Sequence, residues 1–272
     1  MCKVLQVSPN AYYNYLKNKD KNKNKDKDLE NLIEKIFYQS RSTYGSRRIK
    51  AVLKSKHGIN VSRKKISKIM KQKGLVAKTK GSKKPKTTRT VEGEKYVPNI
   101  INREFKAKRP HEKYTSDITY VKAGNRYLYL YTTLDIFTRK IVAWNLSNTL
   151  QAQEAITMLK AIEPLKEEIK GAIFHSDRGV QYTSQEFKNY LKQLGMEQSM
   201  SDKGNCYDNA IMESFFATLK TELKEEFSNE YEAYLLIGEY INWYNNIRIH
   251  SALGYKSPSE FELEFHRILC TK

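Results

Sequence analysis

Three carboxylates stand where acids are costly to place. Asp117 lies inside a strand-forming run (DITYV), Asp177 comes three residues after the apolar Ala172, Ile173 and Phe174, and Glu213 sits near the start of a long helical stretch. A buried strand that delivers a carboxylate at its end aims that charge at something cationic, because gathered acids repel one another and resist ionisation until offset. Hard divalent cations take such oxygen ligands, and Mg²⁺ keeps waters and phosphate oxygens beside a few carboxylates. Two such ions about 3.5–4 Å apart activate an attacking oxygen and stabilise a leaving one, which is the chemistry of phosphodiester transfer. Spacing alone carries little. The gap between Asp177 and Glu213 is 35 residues, and with 8 aspartates and 22 glutamates about 0.6 such pairs arise by chance. The weight falls on where the elements put each acid.

From Tyr114 onward, YTSDITYVKA, a Gly124-Asn125 turn, RYLYLYTTLDIF and RKIVAWNLS predict three antiparallel strands at hairpin spacing. A helix over 151–165, a strand over 171–174, a helix over 184–194, a short strand over 196–200 and a helix over 208–227 follow. A meander that passes into alternating helix and strand is α/β with a mixed sheet. On the last of these helices Met212, Phe215, Phe216, Leu219, Leu223 and Phe227 form an apolar stripe, while Glu213, Lys220 and Lys224 share another face.

The N-terminal part reads as helical. Ser8-Pro9 predicts a helix start, residues 17–28 hold no apolar side chain and predict a solvated connector or helix extension, and Leu29, Leu32, Ile33, Ile36 and Phe37 share one helical face. Residues 44–78 predict two further helices with Ser46 and Ser62 at their caps and a break at His57-Gly58. Arg63, Lys64, Lys65 and Lys68 lie on the outer side of the second, a helix-turn-helix pattern. The expected divisions are a helical DNA-binding region over 1–80, a basic linker over 81–110, a catalytic core over 111–228 and a helical extension over 229–272.

The formal charge of +19 is unevenly spread: residues 1–110 carry 31 lysines and arginines against 8 acids, a net +23, and residues 111–272 carry 18 against 22, a net −4. A basic module joined to a nearly balanced body points to a polyanion held by one part and worked on by the other. Cysteines occur only at 2, 206 and 270, without a C-x-x-C pair, which argues against a disulfide framework or a thiolate zinc site. No apolar run matches a membrane span or a secretory signal, so a protein of the reducing cytoplasm is expected.

The wording around the acids resembles a known family. DITY, LDIFTRKIVAW (134–144), HSDRGVQYTS (175–184), YDNAIMESFFATLKTEL (207–223) and YNNIRIHSALGYKSP (244–258) are similar, in order, to the second-frame transposase of the IS-three family of bacterial insertion sequences. VSPNAYY and YGSRRI extend the likeness to the N-terminus. Tyr114 and Ser116 stand where that family more often has Trp and Thr. The resemblance implies a ribonuclease-H-like, retroviral-integrase-type core: a five-stranded mixed sheet flanked by helices, after a small helix-turn-helix-type domain. It implies that Asp117, Asp177 and Glu213 are catalytic and bind two Mg²⁺, with Mn²⁺ as a substitute. Lys220 falls on the family's basic position two turns past the glutamate. It further implies nicking of element ends and transfer of the 3′-OH, copying out through a joined-end circle, double-stranded DNA as partner, a homo-oligomer on DNA, and a longer frameshifted product carrying the upstream frame. Lys220, Lys224, Arg178, Arg47, Arg48, Arg63, Lys64 and Lys65 are the expected DNA contacts.

Other polar residues get plainer expectations. Asp135 is read as a hydrogen-bonded structural acid rather than a fourth ligand, His175 as a packing residue, and Asp208 and Asn209 as helix N-cap material. The Tyr127, Tyr129, Tyr131 alternation is read as a sheet face rather than a base-stacking platform, and Arg248 and His250 are left open between DNA contact and internal pairing. An integrase proper would want an N-terminal zinc unit, yet only His57 and Cys2 precede residue 111. The rival of another class is a DNA-binding regulator with a relic core.

Overall fold

A computed structural model gives the structure of the protein over residues 8–79, 97–102, 104–202, 209–223 and 226–271, with the side chains of 16–25 outside that description. The chain forms two compact units, Met1–Thr79 and Lys80–Lys272.

In the first unit, α1 (Pro9–Gln39), α2 (Ser46–His57) and α3 (Arg63–Gln72) pack together. The polar residues 17–28 continue α1 as an unbroken extension, because lysine propagates a helix well even with no apolar face to bury. The apolar end does the packing: Ile33, Ile36 and Phe37 of α1 are buried, as are Ile49, Val52 and Leu53 of α2 and Ile66, Ile69 and Met70 of α3. Ser62 caps α3 by accepting from the Lys65 N–H at 3.2 Å. Ser46 does not cap α2: Gly45 holds the cap position and Ser46 is already helical. Gly58 ends α2 in the left-handed region, at φ 67°, where a residue without Cβ is least strained. Arg47, Arg63, Lys64, Lys65 and Lys68 are exposed.

The second unit is built on a mixed sheet. β1 (Lys113–Ala123), β2 (Arg126–Asp135) and β3 (Ile141–Ser147) form the antiparallel meander. Gly124 makes the first turn at φ 58°, and a Cβ there would meet the Ser228 carbonyl at 3.0 Å. Then come α4 (Ala152–Leu159), a 3₁₀ turn over Lys160–Leu165, α5 (Lys166–Ile169), β4 (Ile173–Ser176), α6 (Val180–Thr183), α7 (Gln185–Gln193) and β5 (Glu197–Met200). β4 pairs parallel with β1 and β5 with β4, giving the order β3-β2-β1-β4-β5. α8 (Ala210–Glu222) is followed by β6 (Glu226–Phe227), α9 (Glu230–Asn246) and α10 (Pro258–Cys270).

Two apolar layers sandwich the sheet. One gathers Tyr114, Tyr131 and Phe174 against α4, α6 and α7; the other gathers Val121, Leu128, Leu130 and Leu134 against Met212, Phe215 and Leu219 of α8 and Ile237, Tyr240 and Tyr244 of α9. The helix expected over 208–227 is shorter than its apolar stripe. Leu223 turns to extended backbone, and Phe227 reaches the same core from β6, a two-residue strand parallel to the end of β1. Matching apolar side chains at helical spacing can thus be met by a helix followed by a strand. Among the described residues no helix is long and apolar enough to cross a membrane.

Candidate active site

The register of the central strands places the first two acids. Thr115 of β1 lies opposite His175 of β4 in a parallel pair, so Asp117 and Asp177, each two residues further, stand level where β4 ends and β1 continues. On β1 the odd-numbered residues turn toward α8: Thr115 reaches Asn209, and Val121 and Ala123 join the α8 core. Asp117 shares that parity. Glu213 lies in the first turn of α8 and is exposed.

Charge joins the three. Burial, then the Asp177 carboxylate, then that of Glu213 push the Asp117 carboxyl up to about 8, against pulls down from the Ile118 N–H and the Lys220 ammonium. Burial also raises Asp177 and Glu213. In this conformation the carboxylates stand apart: among the described residues no three Asp, Glu, His or Cys side chains form a ready metal-ion cage. Asp117 instead accepts from the Ile118 N–H at 2.8 Å and Asp177 from the Gly179 N–H at 3.0 Å. Asp117 and Asp177 thus each take one local backbone donor, and carboxylates that raise one another in this way are a donor set that suits a hard divalent cation.

Residues that hold the acids were less legible. Asn209 sits at the N-cap of α8 but makes no side-chain cap. Its side chain, 7% exposed, crosses to β1, where it accepts from the Thr115 hydroxyl at 2.6 Å and donates to the Ser116 carbonyl at 3.4 Å. The expected cap is therefore a tether between the helix of Glu213 and the strand of Asp117; a cap and a cross-link use the same amide, and only the fold chooses. Asp208 lies outside the described residues. Behind Asp117 the Tyr182 and Ser116 hydroxyls are 3.0 Å apart, and Ser116 donates to the Thr132 carbonyl at 3.0 Å. Gly179 lies so close to Asp177 that a Cβ would meet its Oδ1 at 3.0 Å.

The far end of α8 is fixed by the C-terminal motif. Arg248, 5% exposed, donates from Nε and Nη2 to the two oxygens of Glu222, 6% exposed, at 2.7 and 2.6 Å. The Tyr240 hydroxyl donates to the same carboxylate at 2.9 Å. Removing one partner of such a buried pair strands the other charge, at about 3–5 kcal/mol. Arg248 is thus an internally paired residue.

Asp135 is fully buried and accepts from the Thr138 N–H and hydroxyl at 3.0 and 2.5 Å, a structural acid. His175 is buried between the Ser199 and Ser201 hydroxyls at 2.9 and 3.1 Å. Arg178 leans away from open solvent, donating to the Ser201 carbonyl at 2.8 Å and pairing with Asp202 at 3.6 Å. Lys220 lies over the Tyr120 ring at 4.8 Å. Arg48 lies over the Tyr44 ring at 5.6 Å, Lys65 pairs with Asp26 at 2.7 Å, and Lys224 is outside the described residues.

Comparison with known proteins agrees with this architecture. Residues 107–206 and 194–258 match two models of an integrase core domain, and residues 23–83 match an HTH-like domain. The chain is 40% identical over 238 residues to the transposase for insertion sequence element IS904 of Lactococcus lactis, covering 86% of this chain and 93% of that one. It is 34% identical over 265 residues to the putative transposase InsK for insertion sequence element IS150 of Escherichia coli, covering 96% and 92%. A chain of the simian T-cell lymphotropic virus intasome shares the fold, at TM-score 0.50 and 18% identity over 78% of this chain and 70% of that one. With an HTH-like region ahead of an integrase core and relatives of this identity along most of its length, the chain belongs to the IS3 family of insertion-sequence transposases.

Proposed function

We propose that the protein nicks the ends of its insertion element and joins the freed 3′-OH to a second phosphodiester, with Asp117, Asp177 and Glu213 as metal ligands. The observation that carries this reading is that three separate elements bring the acids to one place: Asp117 and Asp177 follow paired residues of β1 and β4, and Asn209 ties the start of α8, which bears Glu213, to the strand of Asp117; burial and repulsion accordingly raise the Asp117 carboxyl. Bound there, two Mg²⁺ would activate the attacking oxygen and stabilise the leaving one. The chain's own part is positional. Asn209 holds the start of α8 against β1, and the Lys220 ammonium, already within the field of Asp117, is placed to receive a phosphate. In each of two steps one P–O bond forms from water or the 3′-OH and one P–O bond breaks. No covalent enzyme intermediate is required. The excess charge of the N-terminal half supplies a phosphate-backbone grip for double-stranded DNA.

The experiment is cleavage of DNA bearing the element's ends, with and without Mg²⁺. Asp177→Asn and Glu213→Gln are expected to lower the rate by more than about a hundredfold, beyond the loss from an outer-shell partner, with DNA affinity retained. Cleavage that persists in either variant, or proceeds in chelator, overturns the reading. DNA binding by a wild-type protein without any cleavage would favour the regulator.

A further inference from the structure

On the β4 side, β1 is paired only at its ends: β4 covers Lys113 to Thr115 and β6 covers Lys122 and Ala123. Among the described residues the edge between them carries no strand, and α8 packs against β1. Strand and helix run the same way here, since Asn209 meets Thr115 near one end and Lys220 meets Tyr120 further on. From Asp117 to Tyr120 is about 10 Å along a strand, and from Glu213 to Lys220 is two turns, about 10.5 Å along a helix. The two therefore advance in step. The acids occupy one station; one step on, strand alternation turns Tyr120 to the other face of β1, and the Lys220 ammonium of α8 reaches across the open strand edge to lie over its ring.

That second station is shaped. Tyr120 and Tyr127 are 52% and 58% exposed and meet edge to face, with ring centroids 5.6 Å apart and planes at 88°. Beside them opens a cavity of about 230 Å³, with Val121, Leu219 and Phe227 among its apolar lining. Lys122 and Glu226 line it too and pair with each other at 3.1 Å, so the acid there is already neutralised. An exposed tyrosine alone is ordinary. A half-exposed ring beside a cavity lined by both apolar and charged side chains, with an ammonium at its face and the acids one step along, is a stacking platform for a planar group carried on a phosphate chain. Such a cavity is smaller than drug-sized sites, which fits a single ring system.

We propose that Tyr120, with Tyr127 and Lys220, forms a subsite for an unpaired nucleobase a nucleotide or two from the phosphodiester held at the acids. The inference rests on the proposed strand-transfer reading and adds that the DNA end is opened locally when it is engaged. Tyr120 supplies the stacking face, and the Lys220 ammonium moves to the neighbouring phosphate. Any base is accepted, because every base has a π-face.

The test uses the full-length protein without divalent ion, so that nothing is cut. The probes are a blunt duplex and the same duplex with a short 3′ overhang carrying 2-aminopurine. The wild type is expected to quench the 2-aminopurine and to bind the overhang probe more tightly than the blunt one. Tyr120→Ala abolishes the quenching and weakens overhang binding about tenfold while blunt binding is kept, and Tyr120→Phe behaves as wild type. Unchanged fluorescence with the wild type overturns the proposal. So does an equal effect of Tyr120→Ala on both probes, or none on either. Mg²⁺-dependent cleavage by the wild type is measured separately, so failure of the nuclease reading and failure of this subsite give different results.

Discussion

Asp117 would be an ordinary strand residue but for its neighbours. Its folded-state pKa, about 8, lies above the usual carboxylate value, so the folded protein resists its ionisation, and the stability this group contributes at low pH is lost as pH rises through about 8. Asp117→Asn removes that burden. In chelator the variant is expected to be more stable than wild type by about 1–2 kcal/mol at pH 8, allowing for water at a half-buried site, and nearly equal to it at pH 4. Thermal melts across pH check this, and a variant less stable than wild type at pH 8 contradicts it. Gly179 matters for space rather than for backbone freedom, since its φ of −60° suits any residue. Gly179→Ala pushes a methyl toward the Asp177 carboxylate, so cleavage should slow about tenfold with the melting temperature little changed.

The decisive element is α8, which carries Glu213 and Lys220 and is tied at both ends. At its start Asn209 reaches Thr115 and the Ser116 carbonyl; at its end Glu222 receives Arg248 and Tyr240. Helix periodicity in the sequence placed Glu213 and Lys220 on one face, but it also carried the helix through Phe227, because an apolar stripe reports which side chains are buried and not which backbone buries them. Asn209 looked like a cap for a similar reason: the residue type fits two roles. Coupling across the tether is measurable. Asn209→Ala and Thr115→Val should each slow cleavage without weakening DNA binding, and the double variant should lose less than the sum, with a coupling of about 1 kcal/mol. Additive losses would mean that the two residues act separately.

At the scale of the whole chain, charge and chemistry are divided. The surplus of positive charge lies in residues 1–110 and the three acids lie beyond them. DNA affinity should fall steeply with salt, and Arg63→Ala and Lys64→Ala should each flatten the log–log slope by about one while leaving cleavage of saturated DNA intact. Lys65→Ala should flatten it less, because Asp26 already pairs with that ammonium. A slope insensitive to all three would move the phosphate grip elsewhere. The sequence by itself determined the order of the strands along the chain, the helical N-terminal unit, the uneven charge and the three acids. These are local facts, written in periodicity, turn residues and motif wording. Only the tertiary structure decided that Asp117 and Asp177 stand level, that Asn209 tethers instead of capping, that Arg248 faces inward to Glu222, and that Tyr120 meets Lys220. Each of these joins residues far apart in the chain, and such pairings depend on strand register and on how helices lie against the sheet, which no single stretch of sequence encodes.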